Sequence, residues 1–212
     1  VDTAVGELVD KSMASYGVQD LLVAAGITKT PEISILSDEF LQDVTNTKRK
    51  NLAVELLAKL VSDEIKTRKK KNVADANTLS RKLQKTLEAY EKRPLDTIDV
   101  ITGLIGLSKD IRDAKKRGEK LKLSEEELAF YDALETKDSE VKVLGDEILT
   151  KIAREITEKI RESKTIDWPL RESGRAKIMS AVKRVLNKNG YPVPKKDSTT
   201  QAIMEQAEQL FA

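Results

Sequence analysis

The chain has neither cysteine nor histidine among its 212 residues. The first absence excludes disulfides, thiolate nucleophiles and cysteine-ligated zinc. The second removes the commonest metal ligand and the commonest general base near neutral pH. Aromatic residues make up only 4%, and none is interleaved with the basic runs described below, which argues against stacking on single-stranded nucleic acid. No run approaches the roughly 20 apolar residues that a membrane span requires. Val1-Asp2 does not begin a signal peptide, and with no methionine at position 1 the chain reads as a piece of a longer protein. A Walker-type phosphate loop is missing, as is any glycine-rich turn between a strand and a helix.

What the sequence has in abundance is charge. Asp, Glu, Lys and Arg make up 35%, yet the net charge is only +2. Dense charge with few aromatics suits helices carrying solvated faces and argues against a β-sandwich. A chain of this size buries roughly 70% of its unfolded surface and needs no metal or disulfide to fold. Residues 1–212 are expected to form one α-helical domain.

The apolar spacing predicts an all-α, multi-helix bundle with short loops and no significant sheet. Residues 4–25 read as a helix stopped by Gly26, followed by a loop around Pro31. Ile33 and Ile35 make the one candidate for a strand, and Ser37 looks like the cap of the next helix. Leu52, Leu56, Leu57, Leu60, Val61 and Ile65 form one helical stripe. Leu79, Leu83, Leu87 and Tyr90 form a second, ending before Pro94. A third starts at Asp96 and carries Ile98, Ile101, Ile105 and Ile111, with Gly103 and Gly106 marking weakness or close packing. Ser124 and Glu127 form a capping box ahead of Leu128–Leu134. Val141, Leu144, Ile148, Ile152, Ile156 and Ile160 predict a long helix. Asp167-Trp168-Pro169 is expected to open another through Ile178, Val182, Val185 and Leu186, ending at Asn189-Gly190. Asp197 or Ser198 would cap a last short helix.

Glu-x-Lys, which in restriction-type nucleases sits on strands around a metal, occurs at 64–66, 140–142 and 162–164. These three fall on predicted helices and read as solvated faces, and a fourth match at 135–137 shows how readily so charged a chain produces the triplet. The distribution of charge is more informative. Residues 48–71 hold nine Lys or Arg against three acids, residues 171–188 hold six against one, and residues 125–147 hold nine acids against two Lys. Such polarity is either ordinary solvated surface or a contact face for DNA phosphate or an acidic partner. The candidates for contact are Lys66, Arg68, Lys69 and Lys70 in the first run. In the second they are Arg171 and Arg175, which share a helix face, with Lys183 and Arg184 extending it. Trp168, the single tryptophan, is expected to be a buried anchor with its indole N–H bonded to a backbone carbonyl.

Four strings occur in order: ISILSDEF (33–40), KNLAVELL (50–57), LSEEELAFYDAL (123–134) and TIDWPLRESGRAK (165–177), the last continuing through VKR (182–184) to GYP (190–192). Together they resemble the C-terminal helical region of the R subunit of type I restriction enzymes. The resemblance spans about Ile33 to Pro194, and residues 1–30 read as the end of a preceding helical spacer. It implies a cytoplasmic enzyme whose intact subunit is a site-specific deoxyribonuclease and ATP-dependent DNA translocase. The ATP and Mg2+ that such a subunit uses belong to nuclease and motor domains N-terminal to this region. What the resemblance carries to this region is assembly. It implies docking on a methyltransferase core of modification and specificity subunits, with duplex DNA in the full complex and no membrane. It brings no catalytic, cofactor-binding or metal-ligating residue here. The alternative is a module that grips duplex backbone through its basic helices without reading bases.

Overall fold

Ser37 begins the first described helix, its side chain accepting the backbone N–H of Phe40 at 3.3 Å and so satisfying one of the free donors at a helix start. The computed structural model describes residues 23–24, 26, 37–92, 96–135, 139–165 and 167–211. The loop around Pro31, the Ile33–Ile35 pair and most of the expected helix and spacer upstream lie outside them; of that helix Val23 and Ala24 are described and helical, and Gly26 has the positive φ of a helix stop. All regular structure among the described residues is helical: α1 (Asp38–Asn46), α2 (Lys50–Lys69), α3 (Val73–Glu91), α4 (Thr97–Leu121), α5 (Glu125–Leu134), α6 (Ser139–Ser163), α7 (Glu172–Lys188), a 3-10 turn (Val193–Lys195) and α8 (Lys196–Phe211). The all-α expectation holds, and no described helix is long and apolar enough to cross a membrane.

The chain divides into two compact units. One comprises the described residues up to Lys66 with Thr78–Lys115, and the other Thr67–Asn77 with Lys116 onward. In the first unit α2 buries Ala53, Val54 and Ala58 besides the leucine stripe, so it is wrapped on more than one face rather than merely amphipathic. Asp96 caps α4, accepting the N–H groups of Ile98 and Asp99 at 2.8 and 2.9 Å. The buried stripe of α4 is Val100, Ile101, Leu104, Leu107 and Ile111, while Ile98 faces solvent. Its orientation follows from Gly103, where a Cβ would sit 3.2 Å from Thr86 Cγ2 of α3. The two helices meet closely at that glycine, whereas nothing crowds Gly106.

The second unit packs α5, α6, α7 and α8 around one core that includes Phe130, Leu134, Ile152, Ile156, Ile160, Trp168, Ile178, Leu186, Ile203 and Met204. The capping box on α5 is complete, with Glu127 N–H donating to Ser124 Oγ and Ser124 N–H to Glu127 Oε2. Two elements differ from the sequence expectation. The long helix α6 is broken at Gly145 (φ 72°, ψ 164°), a conformation that a Cβ would oppose. The break shifts the buried stripe to Leu149, Ile152, Ala153, Ile156 and Ile160, and Ile148 turns outward. Trp168 and Pro169 lie in a turn rather than in the first turn of a helix, and α7 begins only at Glu172, after Arg171. At its other end α7 closes with Gly190 in the left-handed region. Tyr191 N–H donates to the Leu186 carbonyl at 2.9 Å and Gly190 N–H to the Asn187 carbonyl at 3.2 Å, the paired bonds that satisfy the last carbonyls of a helix.

Candidate interaction surface

Trp168 fixes the position of α7. Its side chain is 0% exposed, and the indole N–H donates to the Phe211 carbonyl at the end of α8 (3.1 Å). Phe211 stacks on Phe130 at 6.4 Å between ring centroids and carries the Lys164 ammonium 4.3 Å above its ring. The turn at Trp168 returns close to α7 at Gly174, where a Cβ would stand 2.9 Å from the Trp168 carbonyl oxygen and 3.0 Å from its Cα. Both are backbone atoms and cannot swing aside. Gly174→Ala should therefore cost about 1 to 3 kcal/mol, the range for overpacking. Urea unfolding read against the wild type checks this, and an unchanged midpoint would show that the approach is looser. Tyr191 closes the opposite end of α7, its hydroxyl donating to the Leu134 carbonyl at 2.8 Å and lying 3.1 Å from Thr199 Oγ1.

Held this way, α7 presents two charged faces, not one. Arg175 pairs with Glu208 and Lys183 with Asp197 at 2.9 Å, both acids on α8. The Lys183 ammonium holds the Asp197 carboxyl below its usual range. Arg171 precedes the helix and pairs with Asp167. Arg184 lies nine residues on from Arg175, about 180° around the helix, and lines a groove between α6 and α7. The basic residues of this helix thus do not share the single face expected of them, because α8 packs against one side and draws Arg175 and Lys183 into ion pairs.

Ser173, Ala176, Ser180 and Ala181 of α7 line the groove, and the cations Lys159, Lys177, Arg184 and Lys188 stand along it against one carboxylate, Glu155. Lys159 pairs with Glu162 (2.7 Å) and Lys188 with Glu155 (3.3 Å). Although burial works against it, bonds from Asn189 and Lys188 hold the Glu155 carboxyl below its usual range. Lys177 and Arg184 have no ion-pair partner among the described residues. Lys177, Lys159 and Lys188 were not singled out from sequence. The signal that could have found Lys177 and Lys188 is the spacing 173, 177, 180, 184, 188, a second stripe of small and basic residues; Lys159, on α6, has no such signal.

The basic run at the end of α2 is largely tied down. In the first unit Lys66 lies 4.0 Å from Asp63. In the second, Arg68 pairs with Asp75 at 2.6 Å and Lys71 with Glu125 at 3.0 Å. Lys69 and Lys70 are exposed. Beside them is a buried polar network that sequence reasoning missed. Gln206, fully buried, accepts the Val73 N–H (2.7 Å) and donates to the Lys71 carbonyl (3.0 Å), so one amide satisfies the start of one helix and the end of another. Asn72 caps α3, accepting the Asp75 N–H at 3.0 Å, and donates to Asp132 at 2.6 Å. Asp132 also pairs with Arg117. Burial, reinforced by Asp75 and Glu135, outweighs Arg117 and Asn72 and pushes the Asp132 carboxyl up to about 7. Burial, then the bond to Asp146, likewise raises the Tyr131 phenol. Among the described residues no group of three or more acids could hold a metal.

Residues 1–212 match the family described as type I restriction enzyme HindI endonuclease subunit-like, C-terminal. The chain is 38% identical over 204 residues to the type I restriction enzyme HindI endonuclease subunit of Haemophilus influenzae, covering 96% of this chain and 19% of that protein. It is 31% identical over 191 residues to a protein of Methanocaldococcus jannaschii provisionally named as the MjaIXP type I restriction enzyme endonuclease subunit, covering 90% of this chain and 18% of the relative. It spans about a fifth of the length of these relatives. No solved structure gives a significant match. The chain belongs to the family of C-terminal regions of HindI-like type I restriction enzyme endonuclease subunits.

Proposed function

We propose that this region is a non-catalytic assembly module that holds its endonuclease subunit on a methyltransferase core of modification and specificity subunits. The observation that carries the reading is the solvent-facing side of α7. Its other side is consumed by ion pairs to α8, while the open side keeps Lys177 and Arg184 without ion-pair partners among the described residues, along a groove framed by well-packed helices. A rigid, charge-bearing concavity is what an assembly contact needs, since little ordering cost is added on binding. In this reading the protein works in the cytoplasm, and ATP, Mg2+, translocation and cleavage belong to parts of the subunit outside this chain.

The second reading, a grip on duplex backbone, is favoured by the exposed Lys69 and Lys70. Calorimetric titration of this chain against purified modification and specificity subunits of its own system, and separately against a duplex, at two salt concentrations, separates the two. Assembly predicts saturable binding to the core that survives moderate salt. Phosphate contacts predict duplex affinity that falls steeply with salt, because each neutralised phosphate releases counterions. No heat with the core, with salt-sensitive heat for any duplex, would replace the first reading by the second.

A further inference from the structure

We infer that the α6/α7 groove seats an acidic α-helix supplied by the partner; this rests on the assembly reading and names the chemistry of its contact. Three observations carry it. The first is dimension. The α7 stripe runs from Ser173 to Lys188, which at 1.5 Å per residue is about 22 Å, four helical turns. The second is relief. Ser173, Ala176 and Ser180 are exposed and Ala181 is half-buried, and such small side chains let a second helix approach closely, its ridges entering the gap between α6 and α7. The third is charge. Four cations face the groove against one carboxylate, which is itself held by Lys188 and Asn189. The two cations left over, Lys177 and Arg184, are seven residues apart, two turns on one face. A partner helix with acids about two turns apart would meet both, with small or apolar side chains between them packing on the small residues of α7.

Duplex DNA fits the same groove less well. Its phosphates would meet the tips of Lys177 and Arg184 but leave the recessed small residues uncovered, whereas a helix with its side chains, roughly 10–12 Å across, fills such a gap. Two of the groove's four cations are also already paired, which leaves fewer than a duplex backbone engages over several phosphates.

The test uses two variants and a cross-linker in the whole chain. Lys177→Glu/Arg184→Glu reverses both unpaired cations, and Ala176→Trp fills the groove without changing charge. All three positions are exposed, and unchanged circular dichroism and melting establish that each variant is folded. A photoreactive side chain at Ser180 reports what lies in the groove. The expected result is that each variant weakens binding to the purified core by at least about tenfold, and that Ser180 cross-links to an acid-bearing helical segment of a core subunit. Core binding unchanged in both variants would overturn the groove as the contact while leaving the assembly reading intact. A wild-type chain that fails to bind the core overturns both. Cross-linking of Ser180 to a 30-base-pair duplex in place of protein would overturn the acidic helix in favour of nucleic acid.

Discussion

Trp168→Ala should destabilise the second unit by ~3 to 5 kcal/mol, the range for truncating a large buried aromatic. The indole is fully buried in the α5–α8 core, and its N–H satisfies the carbonyl of Phe211, near the end of the chain. Truncation therefore opens a cavity and leaves that carbonyl without its partner at once. Trp168→Phe keeps most of the packing and loses only the bond, so its cost should stay near the ~1 to 3 kcal/mol of a buried acceptor left unsatisfied. Because Trp168 is the single tryptophan, wild-type fluorescence follows unfolding of the second unit alone. In the alanine variant hydrogen exchange supplies the same reading, with α7 and α8 losing protection first. A shift near zero for the alanine variant, with α7 still protected, would mean that the other core residues hold the helix unaided.

Most of this architecture was legible in the sequence because helix ends and helix faces are local properties. The Ser124–Glu127 box, the Ser37 and Asp96 caps and the stop at Gly190 all act within a few residues of the groups they satisfy. The break at Gly145 escaped because a lone glycine in an apolar stripe is compatible with an unbroken helix. The start of α7 escaped because Pro169 suits a turn as well as a first helical turn, and the choice between them is made by the close approach of the Trp168 backbone to Gly174.

The interaction surface was legible only as composition. Counting cations on α7 identified a charged helix, but not which cations α8 would engage. Which face of a helix remains open is decided by its neighbours, and neighbours are long-range information. The polar network was invisible for the same reason: Asn72 and Asp132 are 60 residues apart, and Val73 and Gln206 are 133 apart. As isolated letters, Asn, Asp and Gln in a chain this charged read as surface.

That network supports the other prediction. Arg117→Met should cost about 1 to 1.5 kcal/mol at pH 8, because it leaves the Asp132 carboxylate buried without its cation. Protonation of that carboxyl, which stands at about 7 in the wild type, caps the penalty at ~1.4 kcal/mol for the one pH unit between. Only 5% of the Asp132 side chain is exposed. After the substitution Asn72 is its remaining hydrogen-bond donor among the contacts described, with Asp75 and Glu135 adding like charge. The pH dependence identifies the cause. The Asp132 carboxyl stands at about 7 in the folded protein against 3.8 for an ordinary aspartate, so the folded state holds the proton more tightly. Its stabilising contribution is present in full below the unfolded value and is lost as pH rises through the folded one, at up to ~1.4 kcal/mol per pH unit. Removing the arginine raises the folded value further and extends the loss above pH 7. The penalty of Arg117→Met should therefore be greater at pH 8 than at pH 7 and shrink towards zero at pH 5, where a protonated Asp132 no longer needs a cation. Adding Asp132→Asn to the variant should flatten the dependence, since a neutral amide has no proton to lose. Unfolding midpoints of the wild type and both variants at pH 5 and pH 8 decide it. An equal penalty at pH 5 and pH 8 would mean that Arg117 contributes packing, through its aliphatic stem, rather than charge.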